Sequence, residues 1–558
     1  MRSTLLFAAL ALALGTAEAA ETQRYVVLTP EATIGHLHAT VDGDTVSVDY
    51  DVKDNGRGPT MKETLRLSEA GLPVEWSISG ATTFGSKVDE RFAVADGKAT
   101  WKDAVGTGEA ANATGALYIG QSGTPWALGV YARALMADVD GRIATLPGGE
   151  LRLEKGDMLE VGTGPAKQTV QRVTLSGLDL DPTHLLVEAD GDLFAVLATR
   201  GLLIREGYEA DAERLRQLTV ELGEQRFIAM QAEVAHRYEH PVRIRNVRVF
   251  DPKTGTRSAP VSVVVYRDRI SGIQPLDATG TGPEVIVEGE GGTLVPGLYE
   301  MHGHIGQNRT VLNLNQVMLG WVLTPEEDTR TLLRLTALKR LDQLDLASPR
   351  VRKTMDAIVE KKVAVEPTLA IHENLLLNQD GQVPSGQAEW IENLPVGAQR
   401  NAKRAWSDMS APGDREAYAG AYRKILDGVR EMHQRGVFLI PGTDLGGGLA
   451  FHRELQLFEQ VGFTPAQALR RATIDMAEYL GEDQQLGSIE RGKLADFFLV
   501  PGDPTESLSE LKNARMVMKD GVVYFPSELY PRFGIQPFST APAVHVPQIQ
   551  PPAPASAP

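Results

Sequence analysis

Residues 296–304 read Pro296-Gly297-Leu298-Tyr299-Glu300-Met301-His302-Gly303-His304. A Pro-Gly break opens a short strand that ends in two histidines one residue apart. On a strand, side chains at i and i+2 share a face, so both imidazoles can be aimed at one ion. Alone the pair is a weak signal. The chain has 11 histidines, and a second such pair, His36-Leu37-His38, lies in a β-rich region with no supporting context. That pair reads as one face of an ordinary strand. His236 and His240, at i and i+4 but without the glutamate of a zincin helix, read as surface residues.

Company downstream sets His302 and His304 apart. The apolar run Val437-Phe438-Leu439-Ile440-Pro441 delivers Gly442-Thr443-Asp444, a carboxylate at the C-terminal end of a strand. Parallel barrels carry their catalytic groups at that end. Leu445 and Gly446-Gly447-Gly448 follow, a flexible loop rather than a helix start, which speaks against Asp444 as a mere helix cap. Between the two motifs, Ser348-Pro349 opens a helix to about residue 362, residues 363–369 read as a strand, and 416–435 read as a helix. Thr464-Pro465-Ala466-Gln467 is a capping box whose helix stops near Gly481. Helices alternating with strands imply parallel βα units.

Upstream the texture is different. From residue 25 to about 203, apolar residues fall on alternate positions, as in Thr45-Val46-Ser47-Val48-Asp49-Tyr50-Asp51-Val52. Asp42-Gly43, Asn55-Gly56, Asp96-Gly97 and Asp190-Gly191 supply hairpin turns, so an antiparallel β domain is expected. Residues 208–238 are rich in Leu, Ala, Glu, Gln and Arg at helical spacing and read as a helical link. Strands return at 242–250, 261–266 and 285–287, and again between 487 and 524. The stretch 537–558 holds 7 prolines in 22 residues and reads as an extended, disordered tail.

Composition sets further bounds. A chain of 558 residues, 42% apolar and 23% charged, exceeds what one core usually organises. Residues 1–20 combine Arg2, an apolar run from Leu5 to Leu14 and Ala17-Glu18-Ala19, which is the pattern of a cleavable secretory signal. A periplasmic or secreted protein with no membrane span is therefore expected. Zero cysteines exclude disulfides, thiolate ligands and cysteine nucleophiles. A net charge of −17 disfavours nucleic acid as a partner.

These motifs together resemble the amidohydrolase superfamily, in its imidazolonepropionase-like and prolidase-like branch, over roughly residues 242–524. Residues 293–304 look like that family's first barrel strand, and 437–444 like its eighth. Gly487-Ser488-Ile489-Glu490-Arg491-Gly492-Lys493-Leu494-Ala495-Asp496 resembles the turn that returns the chain to a β-sandwich. The resemblance implies a hydrolase of carbon–nitrogen bonds in small amides or dipeptides. It also implies a divalent metal, zinc, on His302, His304 and Asp444, with Asp444 as general base.

The sequence departs from the family in length. Only 139 residues, 305–443, separate the histidine pair from Asp444, whereas a whole eight-unit barrel occupies ~200 residues or more. Residues 311–316 look like the sixth strand, with Asn313 where the family has a histidine, and 363–369 like the seventh. Strands two to five are expected to be missing at a junction near 307–310. No lysine is placed to form the family's carbamate, so one ion at most is expected. The expected fold is multidomain α/β plus β, with a (β/α)8 TIM-barrel-type domain that is incomplete. It divides into a signal peptide (1–20), an N-terminal antiparallel β domain (21–205), a helical linker (206–240), a composite β-sandwich (241–292 and 486–528), a truncated barrel (293–485) and a proline-rich tail (529–558). The alternative reading is a catalytically inactive truncated homologue or a binding protein.

Overall fold

The computed structural model describes residues 20–111, 113, 115–303 and 311–547. Most of the expected signal peptide, His304 with the junction near 307–310, and the last part of the tail lie outside these residues.

Fifteen strands form the N-terminal sheet. Consecutive hairpins run from Thr107–Ala111 at one end to Glu21–Leu28, which pairs with Leu202–Arg205. From there the order returns through the later strands to Leu117–Tyr118 at the other end. The Asp-Gly turns work as expected: Gly43, Asp96 and Gly97 all have positive φ, as tight hairpin turns require. Alternate residues such as Leu37, Val46, Val48, Leu65, Trp76 and Ile78 point to one face, and the helix Trp126–Ala137 is buried against it. Its Trp126 Nε1 donates to Gln23 Oε1 at 2.9 Å. Two buried carboxylates hold the run leading into this helix. Glu90 accepts from the Tyr118 hydroxyl at 2.7 Å and from the N–H groups of Gln121 and Ser122 at 2.8 and 2.9 Å, while Glu63 accepts from the N–H of Thr124.

The helix Ala212–Val234 leads out of this domain. Beyond it His236 exchanges backbone hydrogen bonds with Val523 and joins the edge of a second sheet. That sheet is composite. Arg269–Pro275, Val261–Tyr266, Val242–Asp251 and Thr293–Pro296 continue into Phe497–Val500, Met516–Lys519 and Val522–Tyr524. Here two expectations are corrected. Thr293–Pro296, expected to begin the first barrel strand, pairs antiparallel with Phe497–Val500 inside the sandwich. All four of its residues are buried, as suits a strand covered on both faces. The tail is also not wholly disordered. Val544–His545 adds a strand to Val285–Glu288, because that strand's other edge would otherwise be unpaired.

Three parallel segments, joined by a fourth, follow from the remaining motifs. Val311–Asn313 pairs with Ala364–Glu366. Val365 bridges Leu439, its N–H donating to Phe438 O and its carbonyl accepting from Ile440 N, both at 2.9 Å. Met301 N then donates to Pro441 O at 3.0 Å. Backbone hydrogen bonds thus link the segments in the order 311–313, 364–366, 437–441, 298–302, and among the described residues no closed eight-stranded barrel is present. The strands are shorter than expected. Residues 311–316 yield only Val311–Asn313 before the helix Leu314–Val322, because Asn313 turns its side chain to accept from Asn315 N and caps that helix. Residues 363–369 likewise give way to the helix Leu369–Leu377.

The helices Asp414–Gln434, Gly448–Gln460 and Leu369–Leu377 cover these segments and share one core with them. The capping box at Thr464 forms, with Thr464 N donating to Gln467 Oε1 at 2.8 Å and Gln467 N to Thr464 Oγ1 at 3.2 Å. Its helix ends at Arg471, and a second one, Ile474–Leu480, runs on to Gly481. Thr464→Ala is expected to lower unfolding free energy by about 1 kcal/mol in a urea titration, since it strips an N-cap acceptor.

Candidate active site

His302, Glu366 and Asp444 come from the neighbouring segments 298–302, 364–366 and 437–441 and meet at their C-terminal ends. His302 Nδ1 lies 2.9 Å from Glu366 Oε1, and its Nε2 lies 3.0 Å from Asp444 Oδ1. Glu300 ties the backbone of this corner together. Its Oε1 accepts from His302 N at 2.9 Å and Thr443 N at 3.1 Å, and its Oε2 accepts from Thr443 Oγ1 at 2.9 Å. Gly442 is required by close approach, since a Cβ there would stand 2.2 Å from Glu366 Oε1 and 2.9 Å from His302 N. Asp444 itself adopts φ of 54°, a left-handed backbone that aspartate tolerates better than most residues.

Burial pushes the Glu366 carboxyl above its ordinary value, and the imidazole of His302 opposes that push. Behind it Glu454 is wholly buried and accepts from the N–H groups of Leu369 and Ala370, at 2.9 and 2.7 Å, at the start of the helix Leu369–Leu377. Burial drives Glu454 up to about 8, against those two hydrogen bonds. His372 is buried on the same helix with Nδ1 2.8 Å from Thr368 O, and burial lowers its pKa.

Carboxylates on both ring nitrogens impose a condition. A neutral imidazole carries one N–H and can donate to one of them only. Attraction at both nitrogens requires one more proton, on the ring or on a carboxyl, or a metal ion at Nε2. With Nδ1 held by Glu366, Nε2 is the nitrogen turned toward Asp444, which is how carboxylates orient ligating histidines. Yet among the described residues no three His, Asp or Glu side chains are arranged to hold an ion. His302 and Asp444 supply two donors, whereas a water-activating zinc site usually has three from protein.

The structure thus brings His302 and Asp444 together, and His304 lies outside the described residues. Asn313 stands beside the site, close enough to Glu366 to favour its charged form. Sequence reasoning missed Glu300, Glu366 and Glu454. Glu300 was visible two residues before His302. Glu366 ends the strand that lies between those of Asn313 and Asp444 and could have been found by asking what each strand carries at its C-terminal end.

Residues 405–523 match the model of the amidohydrolase family. No curated protein matches the chain. Among solved structures it is similar to a Xaa-Pro dipeptidase with bound methionine in its active site, at 16% identity and a TM-score of 0.33, covering 51% of this chain and 100% of that one. A putative prolidase from Bifidobacterium longum matches at 18% identity and a TM-score of 0.29, covering 51% and 94% of the two chains. Bottromycin amidohydrolase matches at 17% identity and a TM-score of 0.34, covering 56% and 94%. These likenesses are remote. The segment matched by the family model, 119 of the 558 residues, contains Asp444, the capped helix at Thr464 and the returning strands of the sandwich, and over that segment the chain is similar to the amidohydrolase family.

Proposed function

We propose that this chain hydrolyses carbon–nitrogen bonds in small amides or dipeptides, with Asp444 as general base. The observation that carries the reading is His302 held between Glu366 and Asp444 at the C-terminal ends of neighbouring segments. A single divalent ion, zinc by its liking for imidazole and carboxylate, would be held by His302, His304 and Asp444, and when bound would polarise the carbonyl and acidify a water. Glu366 fixes the ring of His302 by accepting from Nδ1. Glu300 holds the turn that presents Asp444. A carboxylate oxygen of Asp444 takes the proton of the attacking water and returns it to the leaving nitrogen. Export to the periplasm or the medium belongs to the same proposal, and cell fractionation tests it.

The test is a panel of dipeptides and N-acyl amino acids together with elemental analysis of the full-length protein. Asp444→Asn is expected to reduce kcat/KM by about a thousandfold or more while the folded state is retained. Unchanged turnover in that variant overturns the assignment. The 139 residues of 305–443, too few for a whole barrel, favour a second reading, a relative that binds ligands without turnover. Wild-type protein with neither metal nor activity on the panel decides for it.

A further inference from the structure

A cavity of about 500 Å³ lies between the helix Leu369–Leu377, the segment 385–406 and the loop 445–450 that follows Asp444. Residues of the N-terminal domain and of the segment after residue 529 complete its wall. Its polar lining is unusual. Asn378 is 3% exposed, and among the described residues neither its Oδ1 nor its Nδ2 has a hydrogen-bond partner. On the same lining Gln387 Oε1 and His452 Nδ1 are also buried without partners. Leaving a buried polar group unsatisfied costs about 1–3 kcal/mol, and native proteins keep few of them. Four such atoms on one cavity wall leave donors and acceptors for water or a bound molecule to meet.

The chemistry of the wall narrows that molecule. Asn378 presents a donor and an acceptor side by side, and the complement of that pair is the edge of a carboxamide or lactam. Of the three charged groups on the lining, Arg453 and Glu373 are spent on each other, with Arg453 Nε and Nη2 donating to Glu373 at 2.9 and 2.7 Å, while the exposed Asp179 accepts from Leu180 N at 2.8 Å and Asn401 Nδ2 at 3.4 Å. Burial lowers His452 to about 4, so near neutral pH its ring carries no charge. The one cation of the lining is therefore already paired, and none is left to call for an anionic ligand. Trp390, Trp406 and Leu445 supply apolar surface for its body. A volume of this size suits a small molecule rather than a peptide chain.

We propose that this cavity binds a neutral small molecule bearing a carboxamide or lactam edge on an apolar, ring-sized body, with Asn378 reading the amide. The proposal does not rest on the hydrolase reading. It is tested by titrating the full-length protein with phenylacetamide in calorimetry, with phenylacetate as the charged counterpart. Saturable one-to-one binding of phenylacetamide is expected, with phenylacetate at least about tenfold weaker, the equivalent of about 1.4 kcal/mol. Asn378→Leu is expected to weaken phenylacetamide by about tenfold or more and to leave the melting temperature unchanged or raised, since it removes an unsatisfied group. Gln387→Met, at a half-buried position, is the second variant, with a loss of about threefold or more expected. Asp444→Asn is expected to keep the affinity within about twofold, so loss of turnover and loss of binding are separable. Absence of saturation by wild-type protein up to about 10 mM, a ligand weaker than the ~4 kcal/mol that a millimolar affinity represents, overturns the proposal. So does undiminished binding in both cavity variants.

Discussion

Arg400→Met is expected to destabilise the protein by about 3–5 kcal/mol, the usual consequence of removing one partner from a buried ion pair. Arg400 lies on the short helix Val396–Ala402, far along the chain from the N-terminal sheet, yet its Nη2 donates to Asp103 Oδ2 at 2.7 Å. The two residues are 9% and 4% exposed on their side chains, so water screens the pair weakly. Arg400 Nη1 also donates to Ile119 O, and Gln121 Nε2 donates to Arg400 O, both at 2.9 Å. Asp103 Oδ1 is occupied by the N–H groups of Val105 and Gly106. Methionine would keep much of the stem's volume but leave the buried Asp103 carboxylate without its ion-pair partner. The loss should appear in calorimetry as earlier melting and in limited proteolysis as faster cutting between the N-terminal domain and the rest. The double variant Arg400→Met with Asp103→Asn is expected to recover part of the loss, because the amide removes the unpaired charge and keeps an acceptor for the N–H groups of Val105 and Gly106. A single variant within about 1 kcal/mol of wild type would falsify this account of how the two halves are joined.

Stability is also expected to fall as pH rises from about 5 toward 8 and beyond. Glu63, 3% exposed in the N-terminal domain, and Glu454, wholly buried behind the candidate site, are both pushed up by burial to about 8. Their ordinary value is 4.5. A carboxyl with a raised folded-state pKa binds its proton more tightly in the folded chain than in the unfolded one. Between 4.5 and 8 the folded state therefore holds protons that the unfolded state has released, and the slope of unfolding free energy with pH is negative. The advantage is complete below the unfolded value and gone above the folded one. A shift of this size corresponds to on the order of 4–5 kcal/mol for each group. Glu63→Gln removes one titration while keeping an acceptor for the N–H of Thr124, and Glu454→Gln keeps acceptor capacity for Leu369 and Ala370. Each variant should flatten the pH dependence of the melting temperature between pH 5 and 9. Slopes identical to wild type in both would show that neither group governs it.

Much of this molecule is written locally. Hairpins at Gly43 and Asp96-Gly97 follow from turn residues that accept positive φ, and the strands between them from alternation of apolar side chains. The capped helix at Thr464 follows from four consecutive residues. The apolar run ending in Gly442-Thr443-Asp444 and the histidines at 302 and 304 mark where a site should be sought. The sequence also shows that the distance between those motifs leaves no room for eight strands with their helices.

Tertiary structure decided what each of these segments touches. Glu366 is 64 residues from His302 and meets it only because 364–366 and 437–441 lie side by side and bring the strand ends together. Thr293–Pro296 was legible as a strand, but its membership in the sandwich depended on an unpaired edge at Phe497–Val500. Val544–His545 reads as part of a proline-rich tail until the free edge of Val285–Glu288 is available to it. Arg400 and Asp103, 297 residues apart, are an unremarked cation and anion until docking buries them against each other. Sterics and periodicity act over a few residues, so the sequence by itself determined turns, caps, strands and the family motifs. Pairing of edges and burial of charge depend on which surfaces meet, so the partners of His302 and the joint between the two halves were decided by the fold.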